Sequence, residues 1–168
     1  MSGAPERPLD LRELFRALAE HSVDYLIIGG VAAQVHGRRR TTKDLDVTPA
    51  PDPKNFERLA AALVALDAHP AELGASAPTP TAEQLHVASI VPPLATQHGE
   101  LHILNDVPGA ADYAAMRARA LESNLGGIVV RIVGVDDLVR MKRAVGRPSD
   151  IEDVEVLMAV ARGDAQRD

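Results

Sequence analysis

Residues 25–48 read YLIIGGVAAQVHGRRRTTKDLDVT, and the reading of this stretch decides the fold. Tyr25-Leu26-Ile27-Ile28 is a short apolar run bounded by Gly29-Gly30, the pattern of a buried strand. Residues 31–36 read as a short helix opening directly after the glycines. Its free backbone N–H groups and positive dipole end would face whatever sits above the strand. A polar, basic segment follows from Gly37 to Lys43. Asp44-Leu45-Asp46-Val47 then reads as a second strand, stopped by Pro49, Pro51 and Pro53.

The spacing of the two aspartates has a physical meaning. Strand side chains alternate faces, so Asp44 and Asp46 point the same way while Leu45 and Val47 face the core. Two neighbouring carboxylates repel unless something neutralises them. A hard divalent cation such as Mg²⁺, with Mn²⁺ as its alternative, does so and keeps ligand positions for phosphate oxygens and water. Helix-end amides beside an aspartate pair point to a nucleoside triphosphate site and in-line displacement at phosphorus. Arg38-Arg39-Arg40, Thr41, Thr42 and Lys43 lie in the loop leading to the aspartates, where they could hold a triphosphate or an RNA backbone.

The flanking sequence supplies the remaining elements. Leu11, Leu14, Phe15 and Leu18 mark a helix over 9–20, and Phe56, Leu59, Ala60, Leu63 and Leu66 mark another over 54–67. Residues 68–84, rich in Ala, Pro and Thr, read as the longest loop and are expected to be mobile. Residues 85–91 read as a strand ended by Pro92-Pro93. Residues 94–96 and 100–104 read as a hairpin turning at His98-Gly99. A helix is expected over 111–120, then two strands at 121–125 and 128–133 joined by Gly126-Gly127. Helices at 135–145 and from Ser149 close the chain. Ser149 with Glu152 forms the capping-box pattern, and Ile151, Val154, Leu157, Met158 and Ala161 form the apolar face. Helices interleaved among short strands and hairpins indicate α+β, a mixed-sheet α/β class. The 168 residues fit one domain, with a core over about 9–133 and a C-terminal helical segment over about 134–163.

Composition narrows the function classes. Lys+Arg total 18 and Asp+Glu total 24, so the net charge of −6 argues against coating nucleic acid by bulk charge. Aromatics are 2%, which disfavours base recognition by stacking. Cysteine is absent, which excludes disulfides and thiolate metal sites. No apolar run approaches a membrane span, and MSGAPERPLD has no apolar signal region, so a cytoplasmic protein is expected. His21, His69, His86 and His98 form no metal-ligand spacing, and His36 is expected to be packed or solvent-facing.

Residues 25–48, a glycine pair followed by Asp-x-Asp, resemble the signature of the DNA polymerase β-type nucleotidyltransferase superfamily. His98-Gly99-Glu100-Leu101-His102-Ile103-Leu104, then Val107-Pro108-Gly109 and Tyr113, resemble the third strand and following turn of its small prokaryotic members. Asp137-Leu138-Val139 through Met141-Lys142-Arg143 to Arg147-Pro148-Ser149-Asp150-Ile151-Glu152-Asp153 resembles the C-terminal Lys…Arg…Asp-x-x-Asp motif of abortive-infection (AbiEii-like) toxins. The resemblance covers about residues 9–160. It implies the nucleotidyltransferase fold, a central mixed sheet flanked by helices with the C-terminal helices packed on it.

The resemblance also implies roles. Gly29 and Gly30 would contact the triphosphate, with Arg40, Thr42 and Arg147 also on the nucleotide. Asp44 and Asp46 would bind Mg²⁺. Lys142 would offset phosphate charge, and Asp150 or Asp153 would sit near the nucleotide or act as base. The implied reaction moves a nucleoside monophosphate from an NTP to an acceptor hydroxyl, with a tRNA 3′ end as acceptor. The implied setting is a toxin held by an antitoxin protein. One departure stands out: the superfamily's third-strand carboxylate slot holds His102. Histidine can orient a hydroxyl or take its proton, but it is a poorer Mg²⁺ ligand than a carboxylate. Alternation places Glu100, and Asp106 if the strand continues, on the same face. Two further readings follow: the same chemistry on a small-molecule or protein acceptor, and a catalytically silent nucleotide- or partner-binding module.

Overall fold

The structure, a computed structural model, describes residues 7–164. Among these, seven strands form one mixed sheet in the order β3-β4-β5-β2-β1-β7-β6. The strands are β1 (Tyr25–Ile28), β2 (Asp44–Pro49), β3 (His69–Pro70), β4 (Leu94–Thr96), β5 (Gly99–Ile103), β6 (Leu121–Leu125) and β7 (Ile128–Ile132). The helices are α1 (Leu11–Glu20), α2 (Gly29–Val35), α3 (Pro53–Ala65), α4 (Ala82–Val87), α5 (Tyr113–Ala118), α6 (Val135–Val145) and α7 (Pro148–Asp164). This is the α+β mixed-sheet class that the pattern indicates. No helix among the described residues is long and apolar enough to cross a membrane.

The sheet centre sets the site. β1 and β2 run antiparallel, whereas β2 pairs with β5 and β1 with β7 in parallel. β1 is buried along its whole length, as a central strand covered on both faces must be. β2 and β5 instead alternate. Leu45, Val47, Leu101 and Ile103 are buried, and the residues between them are half-exposed on the opposite face. Leu14, Phe15 and Leu18 of α1 join Phe56, Leu59 and Leu63 of α3 in the same core.

Three expectations need correction. Residues 85–91 do not form a strand, because α4 occupies 82–87. Thr81 caps it, accepting from the Gln84 N–H while Gln84 accepts from the Thr81 N–H. A Thr-x-x-Gln capping box therefore outweighs the apolar run that follows it. The long loop of 68–84 is likewise interrupted, by β3, a 3-10 turn over Ala71–Leu73 and the start of α4. Ser149 is not a cap. α7 opens one residue earlier on Pro148, and the Asp150 carboxylate accepts the Arg147 N–H. The buried face of α7 runs through Asp150, Asp153, Val154 and Leu157, leaving Ile151 55% and Met158 36% exposed. Two aspartates on the inner face hid that register from an apolar pattern. A smaller shift is that α2 takes the glycine pair into its first turn.

Asn55 ties the far ends of β1 and β2 together. Its side chain is fully buried, accepts the Asp24 N–H and donates to the Asp24 and Ala50 carbonyls. Truncation removes a partner from three backbone groups, of which the Asp24 carbonyl keeps the Ala50 N–H. Asn55→Ala should cost about 3 kcal/mol, or a Tm drop of roughly 6–12 °C, read by thermal unfolding.

Candidate active site

The parallel register of β2 and β5 sets Asp44 opposite Glu100 and Asp46 opposite His102. All four side chains lie on the half-open face. The His102 Nδ1 lies 3.0 Å from Asp46 Oδ1, and its Nε2 lies 2.6 Å from Glu100 Oε1 and 3.9 Å from Asp44 Oδ2. With a carboxylate at each nitrogen, the ring is held as imidazolium. Hydrogen bonding to Asp46 and then to Glu100, working against burial, pushes the His102 pKa up to about 9. Burial, followed by the charge of Asp46, raises the Asp44 carboxyl above its ordinary value. Three carboxylates and one imidazolium leave this face electronegative. β5 ends at Ile103, so Asp106 lies beyond the strand and does not join them.

Asp46 also dictates what precedes α2. Gly29 has φ +66°, and a Cβ there would overlap the Asp46 carboxylate. Only glycine meets both demands. A Cβ on Gly30 would lie 2.8 Å from Thr42 Oγ1 and 3.7 Å from a terminal nitrogen of Arg38. Thr42 Oγ1 lies 3.2 Å from the Asp44 carbonyl and 3.4 Å from its carboxylate, so this hydroxyl steadies Asp44. The Gln34 side chain donates to the Arg40 carbonyl at 2.7 Å and anchors the same loop.

A second cluster adjoins the first across Gly30 and Thr42. Asp153 Oδ1 accepts from an Arg40 terminal nitrogen at 3.0 Å and lies 2.8 Å from Arg38 Nε as an ion pair without a hydrogen bond. Its Oδ2 takes Lys142 Nζ at 2.8 Å. Asp150 takes Arg147 Nε at 2.8 Å and lies 3.6 Å from Lys142 Nζ. Burial would raise the Asp150 carboxyl, but Arg147 brings it below its ordinary value. The Arg147 guanidinium is held charged first by Asp150, and the more distant field of Asp46 adds to the effect. Four cations share two carboxylates here, so this shelf carries excess positive charge beside an electronegative face.

The structure thus brings the anticipated residues into two adjoining groups. Asp44, Asp46 and His102 form one, and Arg40, Lys142, Arg147, Asp150 and Asp153 form the other. Gly29, Gly30 and Thr42 lie between them. Pairing with Asp153 explains Arg38, which the reading of the loop did not separate from its neighbours. Its partner is far away in sequence, and no local signal marks it. His36 is structural, with Nε2 2.8 Å from the Val133 carbonyl. Among the described residues, one group of three has the reach to hold a metal: Asp44, Glu100 and His102, with atoms within 4.8 Å of one another.

No protein-family model matches the sequence. No curated protein matches it either. Solved structures do resemble it. A lincomycin-bound lincosamide antibiotic adenylyltransferase, LnuA, is similar with TM-score 0.61 and 13% identity, over 92% of this chain and 99% of that one. ANT(2")-Ia in complex with adenylyl-2"-tobramycin follows with TM-score 0.54 and 15% identity, over 89% and 86%. An antigenic nucleotidyltransferase-like protein from Paracoccidioides brasiliensis has TM-score 0.52 and 18% identity, over 91% and 78%. At these identities the likeness establishes the fold: this chain has the architecture of the nucleotidyltransferases.

The imidazolium carries a measurable signature. In the metal-free protein the His102 ring should titrate near pH 9 by NMR, and Asp46→Asn should move the midpoint down toward the ordinary 6.5. Since folding raises this pKa, the stability it contributes is complete below pH 6.5 and lost as pH rises through about 9. The stability margin of wild type over His102→Asn should therefore shrink across that window.

Proposed function

We propose that this chain is a divalent-metal-dependent nucleotidyltransferase, moving a nucleoside monophosphate from an NTP to a hydroxyl of a small-molecule acceptor. The observation that carries the reading is the juxtaposition of the Asp44/Asp46 carboxylate face with the Arg40, Lys142 and Arg147 shelf, with Gly29, Gly30 and Thr42 packed where the two meet. The donor chemistry fits a hard cation, because the face offers carboxylate oxygens whose mutual repulsion a cation relieves. Asp44 and Asp46 would hold Mg²⁺ or Mn²⁺. When bound, such an ion neutralises charge on the phosphate oxygens.

The chain's own residues account for the rest. The exposed Arg40 and Arg147 draw the β- and γ-phosphates onto the shelf, with the buried Lys142 adding its charge from behind. Asp150 and Asp153 fix those cations in place by ion pairing. Gly29 and Gly30 leave backbone, not side chain, against the triphosphate. Thr42 holds Asp44 in its pose. The acceptor oxygen bonds to the α-phosphorus, the bond to the α–β bridging oxygen breaks, and pyrophosphate leaves. The acceptor's proton is released to solvent, since His102 is already protonated and cannot take it.

Two observations favour a small acceptor. Of the Arg38–Arg40 run, which speaks for RNA in the sequence, Arg38 is withdrawn onto Asp153 with its side chain 13% exposed, and Arg40 is assigned to the triphosphate. Two neighbours in fold carry lincomycin or adenylyl-tobramycin by their descriptions. A tRNA acceptor, a toxin role and an antitoxin partner rest on the sequence resemblance, and a cytoplasmic setting on composition.

The test is transfer from each α-labelled NTP with Mg²⁺ to a panel of hydroxyl-bearing aminoglycosides and lincosamides, with total RNA as a separate arm. A labelled small molecule is expected. Asp44→Ala and Asp46→Ala should each lose more than about a hundredfold in rate while retaining the fold by circular dichroism. Label on RNA would replace the acceptor, and equal label from the aspartate variants would refute the site. Metal-dependent NTP binding without transfer would identify a catalytically silent module.

A further inference from the structure

The position opposite Asp46 is His102, yet the strand still delivers an anion to this face. Glu100 stands two residues earlier on β5, directly across from Asp44. Strand alternation turns it toward the same side as His102. Its extra methylene relative to aspartate gives it longer reach. An oxygen of Glu100, an oxygen of Asp44 and a nitrogen of His102 already lie within 4.8 Å of one another. The Glu100 side chain is 43% exposed, so an ion or nucleotide can approach it from solvent.

His102 is engaged differently. Its Nδ1 faces Asp46 and its Nε2 faces Glu100, and an imidazole bonded as donor at both nitrogens offers a cation no lone pair. The ring holds carboxylates rather than a metal in this arrangement. Its contact with Glu100 is one that an incoming cation would contest.

We infer that Glu100 is the third metal-holding carboxylate of this chain. The charge that the slot at 102 lacks is supplied from two residues earlier on the same strand, and His102 is a competing partner of that carboxylate rather than a ligand. This assignment rests on the functional reading above, since it presumes that Asp44 and Asp46 bind a cation. A glutamate opposite the first aspartate, not an acid opposite the second, then completes the oxygen set. Hard cations gain affinity from each added carboxylate.

Mn²⁺ titration of the purified protein, followed by the electron paramagnetic resonance signal of free Mn²⁺, tests this without an activity assay. Wild type should bind Mn²⁺ at one site. Glu100→Gln should weaken that site by roughly tenfold or more, with its far-ultraviolet circular dichroism unchanged. Glu100→Asp should recover part of the loss, and His102→Gln should bind Mn²⁺ at least as tightly as wild type. Wild-type affinity in Glu100→Gln would overturn the assignment while leaving the functional reading intact. So would a loss confined to His102→Gln, which would make the histidine the ligand. A wild-type protein that binds no Mn²⁺ would sink both this assignment and the functional reading.

Discussion

The parallel pairing of β2 with β5 is the constraint on which the rest of the site depends. It places Asp44 against Glu100 and Asp46 against His102, while Leu45, Val47, Leu101 and Ile103 go into the core. Register and hydrophobic burial are the same fact seen from two faces. A slip of one residue would bury the acids and expose the leucine, valine and isoleucine side chains. The core therefore stabilises an arrangement of like charges that would not assemble for its own sake. Asn55 holds the neighbouring β1–β2 pair from its far end, and Gly29 admits the Asp46 carboxylate at the near end.

Repulsion among three carboxylates is offset within the protein by the His102 imidazolium and faced from outside by the shelf. That shelf is built on buried aspartates, with side chains only 4% and 6% exposed for Asp150 and Asp153. Burying a charge is costly unless it is paired, and removing one partner of a buried pair costs more than the pair contributes. Asp153 meets this demand with three cations from two regions of the chain, the α2–β2 loop and α6. The last helix thereby fixes the loop that carries Thr42, and Thr42 in turn steadies Asp44. Folding of the C-terminus and geometry of the carboxylate face are mechanically connected, although more than a hundred residues separate them in sequence.

Much of this was legible in the residues. Alternation in Asp44-Leu45-Asp46-Val47 announces both the strand and its open face, the Gly126-Gly127 pair marks the β6–β7 hairpin, and the amphipathic α1 and α3 follow from period alone. What escaped had physical reasons. α4 is a single capped turn and a half with one buried leucine, too short to show a helical period. The inner face of α7 carries aspartates, so a search for apolar residues aligned it wrongly. Ion pairs such as Arg38 with Asp153 depend on tertiary approach and leave no local trace. The role of Glu100 was visible as a shared face, but its register against Asp44 required the sheet.

The central claim is that the acidic face and the basic shelf are one nucleotide site, joined at Gly29–Gly30. The most direct measurement is amide chemical-shift mapping of the ¹⁵N-labelled protein with Mg²⁺ and α,β-methylene ATP, which cannot be turned over. The account predicts saturable shifts concentrated at 29–30, 40–46, 100–102, Lys142 and Arg147. Shifts confined to the apolar groove lined by Leu11 and Phe15 of α1 with Leu125, Val130 and Ile132 of β6 and β7, or no saturable shifts at all, would contradict it.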